Sequence, residues 1–196
     1  MKELTNRQLQ AKATKNKIAR AAMKLLKTEP YDNIKVSDIC KLAEISVGGF
    51  YHYYDSKEKL VVDAYDIIDK KIVDKYKKNK ELAPIEGILK LAEAIALVTT
   101  ELGNKLVSNC YRQLLVDDTG YTASPDRLVH KELSILIDRA VDEGLIKPDT
   151  DKLRLSMYIN KLSRGNIFDW CIKKGSFDLN AELQAELKDL LHLFEN

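Results

Sequence analysis

Residues 34–57, IKVSDICKLAEISVGGFYHYYDSK, decide how this chain is read. Ile34, Val36, Ile39, Leu42, Ala43, Ile45 and Phe50 form an apolar ladder. Such a ladder holds two short helices together across a tight turn. The second helix opens on small residues and runs on as an aromatic series, presenting a polar and basic surface that an enzyme core would not tolerate. This is the layout of a helix-turn-helix, whose second helix enters the DNA major groove.

At about 100° per residue the faces of that second helix can be assigned. Ser46 is the expected N-cap, its hydroxyl available to an unpaired N–H of the first turn. Phe50 and Tyr54 share a face that looks back at Ile39 and Ala43. Gly48, Gly49 and His52 lie opposite, flanked by Tyr51 and Tyr53. Adjacent glycines cost a helix roughly 1 kcal/mol each relative to alanine. Close approach of the backbone to another body is a reason to keep them. The tyrosines then reach phosphates on either wall of a groove, while Val47 and His52 face base edges. Val47 offers only apolar contact, as to a thymine methyl. Lys57, expected at the start of the next helix, is placed for a phosphate, a contact that positions without reading sequence.

The pattern resembles the helix-turn-helix of the tetracycline-repressor (TetR) family of bacterial regulators. That family's signature runs Ala-Gly-Val-Ser-x-Gly-x-aromatic-Tyr-x-His-Phe-x-x-Lys-x-x-Leu. Here it stands as Ala43-Glu44-Ile45-Ser46-Val47-Gly48-Gly49-Phe50-Tyr51-His52-Tyr53-Tyr54-Asp55-Ser56-Lys57-Glu58-Lys59-Leu60. Carried over by resemblance, the DNA-contacting positions are Lys35, Ser46, Val47, Gly48, Gly49, Tyr51, His52, Tyr53 and Lys57. Three residues depart from the pattern. Glu44 replaces a turn glycine, where a positive φ costs a side-chain-bearing residue about 1 kcal/mol. Tyr53 replaces a histidine, keeping a donor but no charge. Lys35 replaces a capping threonine with a basic side chain.

Charge is unevenly spread. The 196-residue chain has a formal net charge of +2, but residues 1–60 carry 12 Lys and Arg against 7 Asp and Glu, a net +5. The remainder carries 20 against 23, a net −3. Positive potential concentrated on the motif is an electrostatic footprint for DNA. With 8 glycines and 4 prolines the composition favours an all-α protein. Cys40, Cys110 and Cys171 are odd in number and lack a CxxC pair, so no disulfide framework or zinc site is expected and the compartment is read as a reducing cytoplasm. His52, His130 and His192 are dispersed, and no metal or other cofactor is expected. No apolar run approaches a membrane span, and the N-terminal stretch lacks an apolar signal core.

About nine helices are expected. They divide into a helix-turn-helix lobe of three helices over residues 1–56 and a helical regulatory and dimerisation domain over residues 57–196. The first helix runs from about Asn6 to Lys27 and stops at Glu29-Pro30. A fourth starts near Ser56-Lys57 and continues to about Lys78. Pro84 to Leu102 and Asn104 to Val116 follow. Ser124-Pro125 reads as an N-cap with proline at the first helical position, opening a helix to Gly144. Asp151 to Lys174 and Asn180 to Phe194 complete the chain.

In the last helix Leu183, Leu187, Leu190, Leu191 and Phe194 form an apolar stripe, and the preceding helix is apolar over much of its circumference. Pairing both helices with their two-fold mates would bury both stripes, so a homodimer is expected. Tyr65, Tyr111, Tyr121, Met157, Phe168 and Trp170, with Tyr158 and Asn160, are candidate lining for a pocket that takes a small-molecule effector of unknown identity. The chain has no phosphate-binding glycine loop, GxSxG elbow, HExxH pair or acid–base constellation at meaningful spacing, so no catalytic residue is assigned. The expected function is a ligand-responsive regulator, a repressor of a pseudo-palindromic double-stranded operator. The alternative is a TetR-like protein acting through a protein partner, towards which Glu44 leans.

Overall fold

The computed structural model describes residues 5–77, 82–114 and 124–196. The first lobe contains α1 (Asn6–Leu26), a 3-10 turn (Tyr31–Asn33), α2 (Val36–Ala43) and α3 (Val47–Tyr53). The second contains α4 (Leu60–Tyr76), α5 (Pro84–Leu102), α6 (Asn104–Leu114), α7 (Leu128–Asp142), α8 (Lys152–Ile172) and α9 (Leu179–His192). One isolated bridge, Ile146 to Glu195, is the sole extended pairing among the described residues.

Local chemistry sets the helix ends. Thr5 and Gln8 form a reciprocal capping box at α1, with Gln8 N–H donating to Thr5 Oγ1 at 3.3 Å and Thr5 N–H donating to Gln8 Oε1 at 2.9 Å. Asp151 and Asp178 cap α8 and α9 through their carboxylates. Two starts fall later than the sequence suggests. Before α4, Glu58 accepts the Tyr31 hydroxyl at 3.0 Å and bonds Ser56, which holds residues 55–59 in a turn until Leu60. Before α7, the Ser124 hydroxyl accepts the Asp126 N–H at 3.2 Å, a local turn that delays the helix to Leu128.

Three apolar clusters order the molecule. The first lobe closes on Ile18, Ala22, Ile39, Ala43, Phe50 and Tyr54. The second is built on α5, packed against α4, α7 and α9. At Gly87 an added Cβ would lie 2.6 Å from a Leu136 methyl, so glycine sets how closely α5 and α7 approach. A small third cluster of Met23, Ala64, Tyr65, Leu106 and Cys110 joins the lobes.

The expected dimer stripe of α9 is turned inward. Leu183, Leu187 and Leu191 are fully buried in the chain's own core, with Leu190 and Phe194 packed at its edge. The Gln184 amide donates to the Leu89 carbonyl at 2.7 Å and ties α9 to α5. An apolar stripe demands a cover, and here α5 supplies it. The uncovered apolar surface lies on α8 instead. Leu153 (68% exposed), Met157, Phe168 and Ile172 (61%) fall within one ~100° sector of that helix, which also carries the exposed Lys161 and Arg164.

Candidate nucleic-acid interface and effector cavity

Ser46 begins α3 as the sequence suggests, its hydroxyl accepting the Gly49 N–H at 2.9 Å. Phe50 is completely buried and anchors the helix on α1 and α2. The opposite side projects Ser46, Val47, Gly48, Tyr51 (54% exposed) and His52 into solvent. Tyr53 is half-buried, with the His52 ring edge-on at 5.0 Å. Lys35 is exposed at the N-terminus of α2, where its N–H donates to Asp38 Oδ2 at 3.1 Å. Tyr54 follows the helix with an extended backbone, and its hydroxyl donates to Asp63. Desolvation and that carboxylate push the Tyr54 pKa up.

The two glycines differ. A Cβ at Gly49 would come within 3.2 Å of the Ser46 hydroxyl and crowd the cap. A Cβ at Gly48 would meet nothing closer than 4.0 Å. Gly48 is therefore unneeded by the fold itself.

Glu44 takes the left-handed conformation expected of its turn position, with φ 51° and ψ 48°. Lys17 Nζ lies 2.8 Å from its carboxylate and holds the Glu44 pKa below the ordinary range. Both side chains are exposed, so the pair adds little stability. Lys57 is positioned differently from expectation. Its ammonium donates to the Tyr31 and Ile34 carbonyls at 3.0 and 3.1 Å and lies 4.2 Å from the Tyr31 ring centroid. It braces the entry to α2, and one N–H remains beyond those two bonds.

The lobes are clasped through α6. Asn109 is buried, accepting the Tyr31 N–H at 3.3 Å and donating to the Leu26 and Glu29 carbonyls at 3.1 Å each. Arg112 pairs with Asp32 at 3.0 Å, and Lys105 donates to the Thr28 carbonyl.

A cavity of about 100 Å³, partly open to solvent, lies among α4, α5, α6, α7 and α8. Tyr65, Tyr111 and Asn160 line it. Met157 and Phe168 do not, because they occupy the outer side of α8, and Trp170 is buried in the main core. Tyr121 lies outside the described residues. Sequence reasoning sought aromatics and so missed Arg127, His130 and Arg164, which also line the wall. Arg127 Nε donates to Asp69 Oδ2 at 3.0 Å, and a second guanidinium N–H reaches Oδ1. Asp69 is wholly buried. A charged residue between Ile68 and Ile72, on the buried side of α4, was the available signal. His130 Nδ1 lies 2.7 Å from the Ser124 carbonyl. Burial, with Arg127 and Arg164 nearby, holds its pKa below the ordinary histidine value. Burial likewise raises the Cys110 thiol to about 12, which keeps it protonated.

Among the described residues no helix is long and apolar enough to cross a membrane, and no group of three His, Cys, Asp or Glu is placed to hold a metal. A buried aromatic anchor, a capped second helix and a glycine-faced outer surface define a helix-turn-helix protein of the DNA-binding class. Residues 18–64 match the family described as bacterial regulatory proteins, tetR family. That match spans the helix-turn-helix and the first turn of α4, about a quarter of the chain. No curated protein matches it. Among solved structures it is similar to FadR of Thermus thermophilus, a TetR-family repressor in complex with lauroyl-CoA, at 22% identity and TM-score 0.70, covering 90% of this chain and 93% of that one. A TetR regulator of Haloarcula marismortui aligns at 16% identity and TM-score 0.73, over 94% and 99% of the two chains. FadR of Bacillus halodurans, a fatty acid degradation regulator, aligns at 20% identity and TM-score 0.61, over 89% and 96%. At these identities the likeness is one of fold.

Proposed function

We infer that the protein is a homodimeric repressor that binds a pseudo-palindromic operator and leaves it when a small molecule occupies the second lobe. The tetR-family match over residues 18–64 supports the coarser part, a DNA-binding regulator that responds to a ligand. One observation supports the rest. The outer surface of α3 is built for contact, with Gly48 open and Val47, Tyr51 and His52 exposed. Ser46, Val47, Gly48, Gly49 and His52 approach bases, while Lys35, Tyr51, Tyr53 and the spare N–H of Lys57 approach phosphates. Residues 1–56 form the DNA-binding unit and 57–196 the regulatory one.

Two half-sites about one helical turn apart require two copies. The α8 stripe of Leu153, Met157, Phe168 and Ile172 is the surface a second copy would cover, since the α9 leucines are already occupied. The cavity above Tyr65 and Tyr111 is the effector site. A structural relative carries lauroyl-CoA, which supports an effector with an apolar chain.

A gel shift on DNA flanking the protein's own gene tests the reading. Specific binding should weaken steeply with added salt, because phosphate contacts release counterions. Equal affinity for random duplex would remove the operator and turn the search to a protein partner.

A further inference from the structure

The cavity has a polar end and an aliphatic remainder. Arg127, His130 and Arg164 line one part, and the wall elsewhere includes Ile68, Ile72, Ile95, Leu102 and Val107. The two guanidiniums are not equivalent. Arg127 is nearly buried and paired with Asp69, so together they carry no net charge. Arg164 is exposed on α8, with no carboxylate at ion-pair distance among the described residues. Its backbone carbonyl accepts the Tyr111 hydroxyl at 3.1 Å, which fixes it beside α6. His130 donates through Nδ1 to the Ser124 carbonyl and stays neutral near pH 7. No carboxylate lines the cavity among the described residues. In the single chain, one positive charge without an ion-pair partner among the described residues therefore stands at the edge of an apolar recess, on the same sector of α8 as Met157 and Phe168.

Charge matching selects the occupant. A cation meets repulsion from Arg164, and a dianion brings a second negative charge that nothing there balances. A neutral molecule leaves the guanidinium unused. A single carboxylate pairs with it bidentately while an attached chain enters the recess. We propose that the cavity binds an amphipathic monoanion, a monocarboxylic acid whose carboxylate sits on Arg164 and whose aliphatic chain lies along Ile68, Ile72 and Ile95. This rests on reading the second lobe as the effector-binding part and names the ligand class.

Calorimetric titration of the full chain with octanoate, decanoate, methyl decanoate and decylamine tests it. Decanoate should bind about tenfold or more tightly than octanoate, as two further methylenes are buried. The ester and the amine should each bind at least about tenfold more weakly than decanoate. Arg164→Gln should weaken decanoate about tenfold and leave the ester unchanged, and its exposed site keeps the variant folded. Equal affinity for acid and ester, unchanged decanoate binding by R164Q, or no binding of either acid would overturn the proposal. Operator affinity of the ligand-free protein, measured separately by fluorescence anisotropy, tells the two failures apart. Operator binding without acid binding sinks the ligand class alone. Acid binding without operator binding sustains this site and sinks the regulator reading.

Discussion

Asn109 on α6 accepts the backbone N–H of Tyr31 at 3.3 Å, tying the wall of the cavity to the entry of the helix-turn-helix. Leu106, Val107 and Cys110 of the same helix line the cavity. Asn109→Ala leaves three backbone groups without their partner and should lower stability by about 1–3 kcal/mol. Ligand should still bind, while its effect on operator affinity should fall towards none. Paired anisotropy titrations with and without ligand measure that coupling. An unchanged ratio would place the transmission elsewhere.

Gly48 separates stability from function. Gly48→Ala should raise the melting temperature, since alanine gains up to about 1 kcal/mol in a helix and meets nothing in the fold. Operator affinity should drop, because the added methyl stands between α3 and the groove. Gly49→Ala should lose stability by crowding the Ser46 cap. A G48A protein with full operator affinity would show that α3 does not sit deep in DNA.

Glu44→Gly should stabilise the first lobe by about 1 kcal/mol, relieving the left-handed backbone of a side-chain-bearing residue. It also frees Lys17, so operator binding should strengthen, most at low salt. Melting curves and salt-dependent titrations read both effects.

Charge placed on the two C-terminal helices should act in opposite ways. Met157→Glu and Phe168→Glu alter exposed positions, so each should give a folded monomer with little operator affinity. Leu187→Glu buries an unpaired charge at a fully enclosed site and should unfold the second lobe. Sedimentation and circular dichroism distinguish these outcomes. A dimeric M157E/F168E double variant would move the interface off α8.

His130 sets a pH dependence of stability. Its pKa is lower folded than unfolded, so below about 6.5 the unfolded chain binds more protons. Stability should therefore fall as pH drops from about 6.5 through the folded-state pKa, and be fully present above that window. Glu44 and Glu101 titrate at lower pH, since lysines hold both below the ordinary carboxylate range. His130→Gln should flatten the slope in chemical denaturation between pH 5 and 7. The same slope in the variant would assign it to another group.

The helix-turn-helix was legible because its determinants are local. Ser46, Phe50, the glycines and the α2 ladder lie within a few turns, and each obeys a rule of capping or periodicity. Glu44 was legible for the same reason, its strain following from its place in the turn. The α9 stripe, expected as the dimer interface, is covered within the chain, because periodicity marks a face needing cover but does not say whether α5 or a second copy supplies it. The cavity was half legible. Tyr65 and Tyr111 stood out as aromatics, whereas Arg127 and Asp69 meet across 58 residues, a pairing that only the fold creates.

The open space beside Gly48 bears on how this protein can be improved or evolved. α3 is kept below the stability its length allows at a surface position where a methyl would meet nothing in the chain closer than 4.0 Å. A screen that rewards heat resistance alone should fill that position early and return sturdy variants that no longer regulate. Selection in the cell should keep it empty.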